Sequence, residues 1–155
     1  MTLLLLSLLI GIVAGLRAMT PLAAICWGAY FGWLHFTGTS LGFIGQKVTV
    51  IIFTVLAIGE IFNDKLPKTP ARTAIPALIA RVVSGACSAA ALAVSVGSGL
   101  GGPIIAGIIG ALIGTYGGYN VRHSLVTKAN LPDFAVAFVE DLIAIAGGLL
   151  IVSRL

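Results

Sequence analysis

Long runs of apolar residues, separated by short breaks rich in glycine, proline and polar residues, cover almost the entire chain. The runs define six segments, at Leu3–Arg17, Pro21–Phe36, Leu41–Phe62, Ala74–Val96, Pro103–Val126 and Pro132–Ser153. The last four have about 20 residues or more, which is the length that an α-helix needs to cross a bilayer. The pattern therefore predicts an all-α polytopic membrane protein, a bundle of five to six helical segments in one transmembrane domain over residues 1–155.

The first two segments are shorter and meet at a charged residue. Arg17 interrupts the apolar run Leu3–Phe36, and Ala-Met-Thr-Pro follows it. These residues predict a helix start, with Thr20 as the N-cap and Pro21 at the first helical position. We therefore expect a break between Arg17 and Pro21. The two short helices could form a tilted pair of spans, a re-entrant hairpin or one long kinked helix, and the pattern does not choose among them.

Composition supports a membrane protein and narrows the set of partners. The chain is 59% hydrophobic and only 9% charged, whereas soluble domains carry about 25% charged residues. The net charge of +4 comes from scattered residues and short loops rather than from a basic stripe, so nucleic acid is not an expected partner. Membrane lipid is.

The distribution of lysine and arginine predicts the orientation in the membrane. The loop Lys65–Arg72 and the residues 122–128 are basic, whereas the loops around Gly38 and Gly99 carry no charge. Because short cytoplasmic loops are enriched in lysine and arginine, the two basic loops are expected in the cytoplasm. If Arg17 turns on the same side, the first three segments and the last three form an inverted 3+3 repeat, a pattern common in transporters.

A glycine pattern marks the fifth segment. Gly110, Gly114 and Gly118 are spaced four residues apart, and Gly107 precedes them by one turn. Glycines at this spacing share one helix face and let a second backbone approach closely. We expect a tight helix contact there, made either within the chain or with another copy in a homo-oligomer.

Seven ionisable residues lie within the predicted helices or at their ends: Arg17, Glu60, Asp64, Arg81, Arg122, Glu140 and Asp141. Charges at membrane depth are costly, so they either mark a substrate or ion pathway or neutralise one another in buried ion pairs. We expect Arg17 and Arg81 to lie near Glu60, and Arg122 to lie near one of the last two acids. Both interpretations of these charges stay open.

No hydrolase, kinase, P-loop or zinc-binding pattern occurs in the sequence. We therefore assign no catalytic residue, metal ligand or cofactor, and we do not expect an enzyme. The interpretation that fits the buried charges is a small integral membrane protein that binds or transports a small solute or ion through a polar intramembrane site. The alternative is a non-transporting, lipid-interacting or scaffold membrane protein.

Three motifs resemble one known family. They are Gly15–Pro21, Glu60–Pro67 with the following Thr-Pro-Ala-Arg-Thr, and Leu131–Asp133 leading to the Glu-Asp pair at 140–141. With them the chain resembles a bacterial family of small integral membrane proteins classed as domain of unknown function 4126. The resemblance implies a membrane fold and no activity, and it supplies no catalytic or binding residues. A multi-pass location in the bacterial inner membrane is expected.

The orientation can be tested with single cysteines at Thr69 and Gly99, in a chain whose Cys26 and Cys87 are replaced by alanine. A membrane-impermeant maleimide should modify Thr69→Cys only from the cytoplasmic side and Gly99→Cys only from the outside. The measurement compares intact cells with inverted vesicles. Modification of Thr69→Cys from the outside alone would contradict the predicted orientation.

Overall fold

The computed structural model describes residues 2–64 and 73–155. Within these residues the chain forms six α-helices, one short 3-10 helix and no strand. The helices are α1 (Leu3–Leu16), α2 (Met19–Tyr30), α3 (Lys47–Asn63), α4 (Ile75–Ser95), α5 (Gly101–Thr127) and α6 (Asp133–Val152), and the 3-10 helix is Gly42–Gly45. The predicted all-α fold is confirmed. The Lys65–Arg72 loop lies outside the described residues.

Three helices, α4, α5 and α6, are long and apolar enough to cross a membrane. The third predicted segment is shorter than expected: its first residues form the 3-10 helix, and Gln46 is extended before α3 begins. The 17 residues of α3 give a helix of about 25 Å, which is less than the roughly 30 Å of a bilayer core. The chain is therefore a helical membrane protein whose apolar helices contact lipid.

The first apolar run folds into a helical hairpin. An ideal Cβ at Gly148 of α6 lies 3.8 Å from Val13 Cγ1 in α1 and 3.1 Å from Ala24 Cβ in α2. In one continuous helix those two residues would be about 16 Å apart, so the chain must reverse between them. The helices have 14 and 12 residues, or about 21 and 18 Å. One long kinked helix is thereby excluded.

The predicted start of α2 is wrong by a few residues. The helix begins at Met19, Ala18 precedes it in a helical conformation, and no side chain of its own segment caps it. Thr20 is therefore not the N-cap. Pro21 lies in the first turn instead of at its first position, where a missing N–H still costs no hydrogen bond.

The centre of the fold is a close contact of α1 with α5 and α4. A Cβ added at Gly110 or Gly114 of α5 would overlap the backbone of α1, and one at Gly107 would meet the Gly85 carbonyl of α4. Small residues thus let backbones approach where side chains would separate them. These contacts lie within one chain. Gly118 is half-buried and lines a groove between α5 and α6, and a homo-oligomer stays a prediction.

The packing does not reproduce the inverted repeat. In such a repeat, α1 would correspond to α4 and α2 to α5. The contact between α1 and α5 would then correspond to the contact between α4 and α2, and the two contacts should be similar. Instead α1 lies along α5 over most of its length, whereas α2 and α4 meet over a short stretch.

The close contact of α1 and α5 predicts a sharp difference between two glycines of α5. Gly114→Ala should lower the free energy of unfolding by about 1–3 kcal/mol, because the added methyl group must displace the α1 backbone. Gly117→Ala is the matched control, since no atom of another helix lies within 4 Å of its Cβ position. Unfolding of both variants is followed in the same detergent. Equal stability of the two would contradict the packing.

Candidate functional site

The tip of the hairpin exposes backbone N–H groups that another helix satisfies. The Glu60 side chain, on α3, accepts hydrogen bonds from the N–H groups of Ala18 (2.7 Å) and Met19 (2.8 Å). Its negative charge lies at the N-terminus of α2, where the helix dipole favours it. Glu60 therefore performs the capping that the sequence assigned to Thr20.

The carbonyl groups at the tip are satisfied from α4 and α5. Gly15 O accepts hydrogen bonds from Arg81 Nη1 at 2.6 Å and from Thr115 Oγ1 at 3.3 Å. Ser84 Oγ donates to Ala18 O. A buried helix break requires such partners, because buried backbone N–H and C=O groups must find hydrogen bonds.

Arg17 lies at the centre of this arrangement and is 0% exposed. Its Nη1 donates to Asp64 Oδ2, and its Nη2 lies 2.6 Å from Asp141 Oδ1. Arg81 Nη2 is 3.9 Å from the same Asp64 oxygen. We call Arg17, Glu60, Asp64, Arg81 and Asp141 the tip cluster. It joins the hairpin to α3, α4 and α6.

The tip cluster brings together five of the seven predicted residues, but with different partners. Arg17 contacts Asp64 and Asp141, whereas the expected partner, Glu60, binds the backbone beside it. The sequence places Glu60 and Asp64 on one face of α3 because they are four residues apart. It does not say which carboxylate reaches the guanidinium and which reaches the backbone.

The other two predicted residues form a separate group with an acid that the sequence analysis missed. Arg122 donates to both carboxylate oxygens of Asp133, from Nε at 2.8 Å and from Nη2 at 2.7 Å. Its Nη1 lies 3.7 Å from Glu140 Oε2. Asp133 begins α6 directly after Pro132. It belongs to the family motif Leu131–Asp133, and an acid in the first turn of a helix is a second signal for it, but helical spacing does not pair it with Arg122.

The members of the tip cluster differ in exposure. The Asp64 side chain is 15% exposed, against 7% for Asp141 and 1% for Arg17. Thr20, three residues after Arg17, lines a mostly apolar cavity of about 160 Å³ between α2, α3 and α6. Arg17 Nε and Thr20 Oγ1 are two of the buried polar atoms of the described residues that have no hydrogen-bond partner. The cluster and the neighbouring Thr20 thus combine paired charges with buried polar atoms that could still bind a polar group.

In the part of the chain that the structure describes, no three histidine, cysteine, aspartate or glutamate side chains converge as metal ligands. The tip cluster consists of three carboxylates and two guanidiniums. Such groups can bind ions and hydrogen-bonding solutes.

The burial of Arg17 predicts a large loss of stability in Arg17→Met, because Asp64 and Asp141 then lack their shared cation. Removing one partner of a buried ion pair costs about 3–5 kcal/mol. Arg122→Met is the comparison: its hydrogen-bonded partner, Asp133, has a 61% exposed side chain, and exposed pairs contribute up to about 1 kcal/mol. Its other partner, Glu140, is 10% exposed but lies farther away, at 3.7 Å, so the loss should be smaller than in Arg17→Met. Unfolding in one detergent compares the two variants. Similar losses in both would contradict the central position of Arg17.

Comparison with known proteins gives one match. No curated protein and no solved structure matches the chain. A family model described as "Domain of unknown function (DUF4126)" matches residues 4–153. The match covers nearly the whole chain and includes the hairpin, the tip cluster and the Arg122 group. The chain therefore belongs to the DUF4126 family, an uncharacterised family whose description assigns no activity.

Proposed function

We propose that this protein binds a small solute or ion at the tip cluster and passes it across the membrane. The observation that carries the proposal is the hairpin of two helices, each too short to cross a bilayer, whose tip meets ionisable side chains from three other helices. Discontinuous helices with charged or backbone groups at the break are a common construction of transporter sites. We place the chain as a multi-pass protein of the bacterial inner membrane, with the Lys65–Arg72 loop in the cytoplasm.

The charges of the cluster favour a cation. Its described residues supply three carboxylates, from Glu60, Asp64 and Asp141, and two guanidiniums, from Arg17 and Arg81. A cation that approaches Asp64 competes with two arginines for one carboxylate. Binding of the cation and rearrangement of the ion pairs would then be coupled, which is what a gated pathway needs.

The route follows from exposure. Asp64, at the C-terminal end of α3, is more exposed than Asp141, the other acid that contacts Arg17. The cavity beside Thr20 extends between α2 and α3 to the Trp27–Thr54 hydrogen bond of 3.1 Å. We expect the solute to enter at Asp64 and to pass along this interface.

A scaffold is the second candidate, and one observation favours it. Arg17 contacts two carboxylates and Glu60 caps α2, so the same contacts also close the hairpin. If that is their whole role, the cluster only holds the fold together, and the protein acts through lipid or protein partners.

Flux measurements in proteoliposomes separate the two candidates. Protons, Na⁺ and K⁺ are tested in turn, with a pH-sensitive dye and ion-selective dyes inside the liposomes. The wild-type protein should pass at least one of these ions, and Asp64→Asn should reduce its flux to the level of empty liposomes. Glu60→Gln keeps one acceptor oxygen for the α2 backbone and should also lose flux while it remains folded.

Asp133→Asn is the control, because it removes an acid that lies outside the tip cluster. It should keep the wild-type flux. Unfolding temperatures of all variants are measured in parallel. Two results together would favour the scaffold over transport: the wild-type protein passes none of these ions, and Asp64→Asn only lowers stability.

A further inference from the structure

An apolar groove of about 480 Å³ lies between α5 and α6, and none of the tip-cluster residues lines it. Its floor is α1, at Ile12 and Leu16, and its walls include Gly117 and Gly118 of α5 and Val139 and Ile143 of α6. The two glycines have no side chain to fill the space between the helices. The volume falls in the usual range of ligand sites, about 300–1,000 Å³.

The length of the groove matches a lipid chain. On α5 it extends from Ile113 to Leu125, which is about 18 Å along the helix axis. One leaflet of a bilayer contributes about 15 Å of hydrocarbon, half of the core thickness. Both walls belong to helices that are able to cross a membrane, so the groove opens sideways toward acyl chains.

Charged groups mark one part of the groove. Among its described lining residues, Arg122 and Glu140 are the charged ones. Asp133 binds Nε and Nη2 of Arg122 and so fixes the plane of the guanidinium, and Nη1 is directed toward Glu140, itself a lining residue. Arg122 lies within two turns of the end of α5, the end at which a phosphate would reach it from the membrane surface.

We propose that this groove binds a zwitterionic phospholipid. One acyl chain lies along the glycines of α5, the phosphate binds Nη1 of Arg122, and the headgroup amine lies near Glu140. Guanidinium groups bind phosphate through charge-assisted hydrogen bonds. The neighbouring positive and negative side chains fit a headgroup that carries both charges. The site is independent of the proposed transport function.

Photo-crosslinking tests the acyl chain. A phosphatidylethanolamine with a diazirine in one chain is reconstituted with the protein, and labelled residues are mapped by mass spectrometry. Labels should concentrate on groove residues in the wild type and fall several-fold in Gly117→Leu, which fills the groove. Gly59→Leu is the matched control on α3. Both glycines have open space at the Cβ position, so neither change should disturb the fold.

Native mass spectrometry tests the headgroup. The wild-type chain should retain one phosphatidylethanolamine through detergent exchange, Arg122→Gln should lose it several-fold, and phosphatidylglycerol or inorganic phosphate should not replace it. Equal labelling of the groove and the α3 face, or retention unchanged by both Gly117→Leu and Arg122→Gln, would overturn the proposal. So would a disulfide between two copies of Gly117→Cys, because a second chain would then occupy the groove. None of these results depends on ion flux.

Discussion

The burial of a single guanidinium, that of Arg17, is the constraint on which the rest of the structure depends. A charge at membrane depth is stable only when opposite charges reach it, and its carboxylates come from the end of α3 and from α6. The same turn also leaves N–H and C=O groups without helical partners, and side chains from α3, α4 and α5 satisfy them. One short break in the chain thus fixes the relative positions of four helices, α3, α4, α5 and α6.

The polar contacts and the glycine contacts depend on each other. Arg81 and Thr115 can both reach Gly15 O only because α4 and α5 lie very close to α1. That closeness in turn requires small residues such as Gly85 and Gly114, since van der Waals packing and hydrogen bonds, rather than hydrophobic burial, hold helices together in lipid. A larger residue at Gly85 or Gly114 should therefore weaken the hydrogen bonds to Gly15 O, and loss of those hydrogen bonds should loosen the helix contacts at the glycines.

Much of this arrangement can be predicted from the sequence, and the remainder depends on tertiary contacts. The apolar runs, the break at Arg17 and the identity of the buried charges follow from composition and spacing. The shortening of α3 does not, because Gly42–Gly45 is as apolar as a span and only its backbone flexibility distinguishes it. The capping of α2 was assigned to Thr20 by local rules, whereas Glu60 performs it from a distant segment. The pairing of Asp133 with Arg122 cannot be predicted from helical spacing, because the two residues lie on different helices on either side of a turn.

Arg17 and Asp141 contact each other in the folded chain but are synthesised at different times. A chain grows from its N-terminus, so the arginine leaves the ribosome long before the carboxylate near the end of the chain. Until α6 is synthesised and inserted, the hairpin lacks one of the two counter-charges that its burial requires. The contact that completes the burial of Arg17 can therefore form only after α6 has been made.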